Sequence, residues 1–264
     1  MPAANPRRVV EQFCTKFPDQ LVSLTRIIGD EKASQFQLKR NLKKLHEESH
    51  RLKGAAYCMG FPSIGAAFFK LEQNTQRLLE SKKDVTPQLM ERIYLDLSKV
   101  AKLRRTVAPE QSKLLQSFEN PAQQTLGDAD AAALRQLLNS QRVLFVEDDI
   151  SVRNLVRELL SDIGVGDICM ANSGQEALDA MRSFTPTLLI SDWHMEPVDG
   201  LSLLRQIRSG ATPVNAQTPV IFLTAEKIHT VIRNGANHVL VKPFNRAVVM
   251  RAIARIAQQH QRSH

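Results

Sequence analysis

The chain has 264 residues, 43% apolar and 23% charged, a composition that excludes general disorder and leaves room for two self-sufficient cores. Its three cysteines, Cys14, Cys58 and Cys169, lie far apart without a C-x-x-C pair, which argues against a disulfide framework or a zinc knuckle. The formal charge of +8 belongs to the first half: residues 1–140 hold 22 Lys/Arg against 15 Asp/Glu, residues 141–264 hold 13 against 12. No apolar run approaches the ~18 residues of a membrane helix, and the first residues show no signal peptide, so a cytoplasmic location is expected.

Residues 7–107 read as helices. Apolar residues recur at helical spacing, with breaks at Pro18, Gly29-Asp30, Gly60-Phe61-Pro62 and Thr86-Pro87. The pattern predicts helices near 18–28, 32–59, 63–82 and 87–106 with a lead-in near 7–15, an all-α four-helix bundle spanning 1–107. Residues 108–141, rich in Gln, Asn and Ala around Pro109, Pro121 and Gly127, read as a partly helical linker.

From Arg142 to the end, 142–264, the pattern changes to five βα units. The strands fall at Val143–Val146, Val165–Met170, Leu188–Ser191, Val220–Leu223 and Val239–Val241, and helices follow each, the fourth at 226–233. Five such units predict a doubly wound α/β domain with a five-stranded parallel sheet. In such sheets functional groups gather at the carboxyl ends of the strands. Those ends carry Glu147-Asp148-Asp149, Asp192, Thr224 and Lys242. Carboxylates converging in one crevice need a cation, and oxygen-only ligands suit Mg²⁺ or Mn²⁺. Thr224 and Lys242 can hold the oxygens of a phosphoryl group that a carboxylate takes up in line.

The runs Val143–Asp149, Leu188–Met195, Phe222–Ala225 and Val241–Phe244 together resemble the receiver domain of two-component response regulators, over about 141–260. That resemblance implies a flavodoxin-like strand order, 2-1-3-4-5, and makes Asp192 the phosphoacceptor. It makes Glu147, Asp148 and Asp192, with the backbone carbonyl of His194, the Mg²⁺ ligands. Thr224 becomes the hydroxyl switch residue and Lys242 the phosphate-binding lysine. Asp149 reads as a helix N-terminal charge. Two departures stand out. The usual aromatic switch position is Val239, and the stretch from Thr224 to Gly235 is short by about one helical turn, so a truncated fourth helix is expected.

In the first half, Leu38, Leu42, Leu45, Ser49, Leu52, Ala56 and Met59 form one buried stripe, and the adjacent stripe carries Lys39, Lys43, His46, His50, Lys53 and Tyr57. The string His46-Glu47-Glu48-Ser49-His50 satisfies H-E-x-x-H, with Glu72 as a conceivable third zinc ligand, but its cationic neighbours are hostile to Zn²⁺. His50-Arg51-Leu52-Lys53-Gly54-Ala55-Ala56, then Gly60 and Leu71-Glu72, instead resembles the signature of histidine phosphotransfer domains over roughly 7–107. The resemblance implies that His50 is the phosphohistidine, that Lys53 stabilises its phosphate, and that Gly54 leaves room for a partner. Lys43 and His46 read as docking residues on the same stripe.

These readings point to a phosphorelay protein that passes phosphoryl groups between His50 and receiver aspartates, Asp192 or those of partners. No nucleotide-binding boxes are seen, so no kinase activity of its own and no separate output domain are expected. The expected partners are a sensor or hybrid histidine kinase, other receiver or phosphotransfer domains, and a second copy of the chain. No membrane or nucleic acid is expected, because an acidic receiver accounts for the basic first half. The alternative keeps the receiver and makes the bundle a docking or dimerisation module that is never phosphorylated.

Overall fold

The structure is a computed structural model that describes residues 5–28, 34–81, 84–119, 128–224 and 235–261. The chain divides into two compact units, Arg7–Gln116 and the stretch from Ser117 onward.

In the first unit, α1 spans Pro6–Ile28 without interruption, although the sequence predicts a break at Pro18. A proline inside a helix removes one backbone hydrogen bond and costs about 3 kcal/mol. The buried stripe Val10, Phe13, Phe17, Leu21, Leu24 and Ile28 keeps its three- and four-residue spacing across that point. Burying each large side chain contributes about 1.5–3 kcal/mol. Continuity of the stripe therefore wins over the local break.

Helix α2 covers Gln35–Cys58 and starts after Ser34, whose hydroxyl accepts the Gln37 amide at 3.3 Å. The Gly29-Asp30 break lies outside the described residues. Helix α3 covers Pro62–Glu80 and begins on a proline, whose missing amide is harmless at that position. Helix α4 covers Pro87–Lys102, capped by Thr86, and ends in a 3₁₀ turn, Leu103–Thr106.

The stretch expected to open the linker joins the bundle instead. A short 3₁₀ turn at Pro109–Gln111 leads into α5, Lys113–Glu119. Ser112 donates its hydroxyl to the Met59 carbonyl at 2.7 Å, and the Lys113 amide donates to the Gly60 carbonyl at 3.0 Å. Leu114 and Leu115 are buried. Composition suggested a linker here, but two leucines and a satisfied polar anchor are enough to hold the segment.

In the second unit α6, Asp128–Asn139, precedes a sheet of β1 (Arg142–Val146), β2 (Asp167–Ala171), β3 (Leu188–Asp192), β4 (Val220–Thr224) and β5 (His238–Val241). The helices are α7 (Ile150–Asp162), α8 (Gly174–Ala180), α9 (Gly200–Arg208) and α10 (Arg246–Gln261). All four strand pairs are parallel, in the order β2-β1-β3-β4-β5. The central strands β3 and β4 are buried throughout, as their Val/Ile/Leu-rich runs require. The predicted helix at 226–233 lies outside the described residues. Val239, at the position expected to be aromatic, packs half-buried against the core.

The pairing aligns Val146 with Ser191, Asp192 with Leu223 and Thr224 with Val241. The carboxyl ends of β1, β3, β4 and β5 therefore finish level with one another. The order reverses between β1 and β3, which opens a crevice there. No helix among the described residues is long and apolar enough to cross a membrane.

Gly60 sits at φ +83°, and a Cβ there would lie 2.3 Å from the Leu114 amide nitrogen. Gly60→Ala is expected to destabilise the bundle by about 2 kcal/mol or more, from left-handed strain and the clash together. Urea unfolding measures it, and an unchanged midpoint would contradict the packing of residues 112–114 on this turn.

Candidate functional site

The parallel register delivers acidic side chains to one edge of the sheet. Oxygen atoms of Glu147, Asp148 and Asp192 all lie within 4.8 Å of one another. Lys242 follows β5 and reaches across the crevice, its Nζ 3.0 Å from Glu147 Oε2 and 3.3 Å from Asp192 Oδ1. Asp192 Oδ1 also accepts the Trp193 amide at 2.9 Å. Thr224 closes β4, buried, and its carbonyl accepts the Lys242 amide at 2.7 Å. His194 stands two residues past Asp192 with an exposed side chain.

Three carboxylates thus face one ammonium, with Glu147 and Asp192 buried and Asp148 exposed. Glu147 shows the consequence: burial pushes its carboxyl well above the usual carboxylate range, the Asp192 charge adds to this, and Lys242 offsets only part. A divalent cation would relieve that repulsion, and the donor set is the all-oxygen one that hard cations take. The residues fit such an ion.

Three supporting residues surround the site; Arg153 and Gly200 carry no obvious signal in the sequence, whereas Asp149 is the helix N-terminal charge the sequence predicts. Arg153 donates to the Glu147 and Asp148 carbonyls at 2.5 and 2.7 Å, which fixes the loop after β1. Asp149 turns away from the cluster and accepts the Ser151 and Val152 amides, capping α7. Gly200 lets the chain pass behind the site, since a Cβ there would stand 2.3 Å from the Asp192 carbonyl oxygen.

The second constellation lies between α2 and α3. His50 projects from α2 with 27% of its side chain exposed, and its Nδ1 hydrogen-bonds Glu72 Oε1 on α3. Lys53, one turn along, is only 2% exposed and places Nζ 2.7 Å from Glu72 Oε2 and 3.5 Å from His50 Nδ1. The cation that sequence periodicity assigns to an open stripe is therefore inside, on the Nδ1 side of the ring. Burial alone would raise the Glu72 carboxyl, but hydrogen bonds from His50 and Lys53, with their charges, bring it down to about 2.

His46 Nδ1 lies 3.2 Å from Thr75 Oγ1 and 3.3 Å from the Glu72 carbonyl. The Thr75 hydroxyl already donates to the Leu71 and Glu72 carbonyls, so it accepts from His46. His46 thereby ties α2 to the turn of α3 that carries Glu72. Among the described residues His46, His50 and Glu72 do not converge as a metal site, and the H-E-x-x-H reading lapses. Lys43 pairs with Glu47 at 3.5 Å on the exposed face, and Gly54 is half-buried one turn past His50.

Close approach of the two helices makes this geometry. Gly65 on α3 packs against Tyr57, and a Cβ there would lie 2.8 Å from the tyrosine ring. Glu72 follows two turns later, on the buried stripe with Phe68 and Leu71. Its role escaped the sequence reading, which met Glu72 only in a motif and as a zinc ligand.

Comparison with known proteins identifies a family for each of the two domains. The response regulator receiver domain profile matches residues 143–254, and the Hpt domain profile matches residues 8–105. The chemotaxis protein CheY1 of Helicobacter pylori is 31% identical over 113 residues, 41% of this chain and 90% of that protein. The chemotaxis protein CheY of Pseudomonas aeruginosa is 31% identical over 122 residues, 45% of this chain and 97% of that one. The structure of Vibrio cholerae chemotaxis protein CheY4 aligns at 30% identity and TM-score 0.41, covering 44% of this chain and 98% of that one. The chain belongs to the response regulator receiver family and joins that domain to an Hpt domain. It is a two-component phosphorelay protein, built from two phosphotransfer modules.

Glu72 ionises far below an ordinary carboxyl, so its charge stabilises the bundle at neutral pH. That contribution is complete above about pH 4.5 and is lost as pH falls toward 2. The wild-type bundle should lose stability through this window more steeply than Glu72→Gln, measured by denaturation at stepped pH. Glu147 shifts the opposite way, so its charge costs stability at neutral pH in the metal-free receiver. Glu147→Gln should raise Tm without divalent cations, while added Mg²⁺ raises Tm for the wild type more than for the variant.

Proposed function

We propose that the chain is a relay intermediate that moves a phosphoryl group between His50 and receiver aspartates, its own Asp192 among them. The observation that carries this reading is the Asp192 carboxylate lodged 3.3 Å from the Lys242 ammonium beside two further acids. We assign Glu147, Asp148, Asp192 and the His194 backbone carbonyl to a Mg²⁺ or Mn²⁺ ion. Such an ion, when bound, neutralises the crevice and the phosphoryl oxygens. Lys242 holds a further phosphoryl oxygen, and Thr224 closes the remaining side as the hydroxyl that senses it.

On the bundle, the Nδ1–H of His50 stays with Glu72, which makes Nε2 the nucleophile. Nε2 attacks the phosphorus of an aspartyl phosphate, the N–P bond forms, the acyl P–O bond breaks, and the carboxylate leaves as the anion. The reverse transfer uses the same atoms. Lys53 keeps Glu72 ionised and places a positive charge behind the phosphorylated ring. Gly54, Lys43 and His46 flank the approach of the partner. A receiver meets this surface through its own acidic crevice, so opposite charges set the encounter.

The reading places the bundle, 1–107 with its 108–116 extension, before a linker and a receiver at 142–264. It assigns the chain to the cytoplasm. Its partners are a sensor or hybrid histidine kinase upstream, receiver or Hpt domains, and a second copy for transfer between chains. The chain supplies no ATP chemistry in this scheme, and nucleic acid plays no part.

Phosphate tracing with wild type, His50→Gln and Asp192→Asn tests it. An acid-labile, alkali-stable label should be absent in His50→Gln and a hydroxylamine-sensitive label absent in Asp192→Asn; loss of both labels in one variant marks that residue as the upstream one. Should His50→Gln relay to every tested receiver as the wild type does, the assignment of His50 fails.

A further inference from the structure

Away from His50, α1 and α2 border a cavity of about 940 Å³ that the relay scheme leaves unused. On α2 it is lined by Gln37, Asn41, Lys44, Glu48 and Arg51, a run of three- and four-residue steps, with Arg40 beside them. His46 and His50 lie two residues beyond Lys44 and Glu48, about 200° around the helix. The cavity and the histidine surface are therefore different faces of α2.

Its charge is lopsided. Lys16 and Arg26 come from α1, Arg40, Lys44 and Arg51 from α2, against Asp19 and Glu48. Glu48 is taken by Arg51, at 2.8 Å. Lys16, Arg26, Arg40 and Lys44 are exposed, and none of them makes an ion pair among the described residues. They are spread along the groove rather than focused on one point, over about 16 Å from Lys16 to Ile27. Such spacing suits an elongated anion better than a single phosphate.

A second observation narrows the class. Gln20, which lines the same groove, has its Oε1 buried without a hydrogen-bond partner among the described residues. An orphaned acceptor is costly, and a Gln20 side chain turned toward the groove would take a donor there. A polypeptide brings backbone N–H donors together with carboxylates, whereas a phosphodiester backbone brings acceptors only. Half-buried Ile27, beside the buried Leu24, gives the floor a small apolar patch.

We propose that the α1–α2 groove is a docking site for an acidic peptide segment of a partner protein, separate from the surface that presents His50. The segment lays glutamates or aspartates along Lys16, Arg26, Arg40 and Lys44 and offers a backbone N–H to Gln20. A partner held here as well as at His50 gains effective concentration without any change in the chemistry.

The probe is a fluorescein-labelled peptide of about 12 residues with glutamate at every third or fourth position, titrated with the full chain at low salt. Wild type should bind it, with affinity falling as salt rises. Arg40→Glu/Lys44→Glu should raise Kd by at least about tenfold. Lys102→Glu/Arg105→Glu, an equal change of net charge on exposed positions elsewhere on the bundle, should shift Kd by less than about threefold, as should His50→Gln. Circular dichroism confirms that each variant folds. Equal losses in the two charge-reversal variants, no binding by wild type, or tighter groove-dependent binding of an oligonucleotide of matched charge would each overturn the proposal. Loss of relay in His50→Gln with peptide binding intact leaves the groove standing, so the two readings fail separately.

Discussion

One carboxylate organises the bundle site. Glu72 stands between a buried lysine and a half-exposed histidine and hydrogen-bonds both. Neither neighbour tolerates its removal well. Without Glu72, Lys53 would be an uncompensated charge in the core, which is among the costlier defects a protein can carry. With it, the lysine is affordable, the carboxyl is fixed in its ionised form, and the imidazole acquires a defined orientation. In the proposed relay, the chemistry of His50 thus depends on a contact made by a different helix.

That dependence explains the packing around it. Gly65 allows α3 to close on Tyr57, and His46 with Thr75 clasps the two helices at the level of Glu72. The receiver crevice works on the opposite principle. There the acids outnumber the cations, burial and the Asp192 charge push the Glu147 carboxyl well above its usual range, and the fold keeps this arrangement at the level ends of four strands. The bundle site is electrostatically satisfied and the receiver site is frustrated. A bound divalent cation would make good what the second lacks.

The sheet was legible because its physics is local and periodic. Short apolar runs alternating with amphipathic helices leave few topologies, and a parallel register necessarily brings Glu147, Asp192 and Lys242 to one edge. Three features were not legible. Pro18 carries a strong local break signal that the buried stripe of α1 overrides. Residues 108–116 have linker composition, yet Ser112, Leu114 and Leu115 anchor them on the Met59-Gly60 turn. Lys53 reads as a surface cation at helical spacing, and only the partner helix reveals that it is inside. In each case the deciding energy lies in a contact distant along the chain, to which a periodic reading is blind.

The most direct test of the account concerns which ring nitrogen of His50 carries the phosphoryl group. Phosphorylated full-length protein with ¹⁵N-labelled histidine can be read by ³¹P–¹⁵N coupling. If Glu72 holds Nδ1, the coupling appears at Nε2 and the Nδ1 proton remains in its hydrogen bond. Coupling at Nδ1 would mean that the carboxylate does not orient the ring, and the account of the bundle site would be wrong.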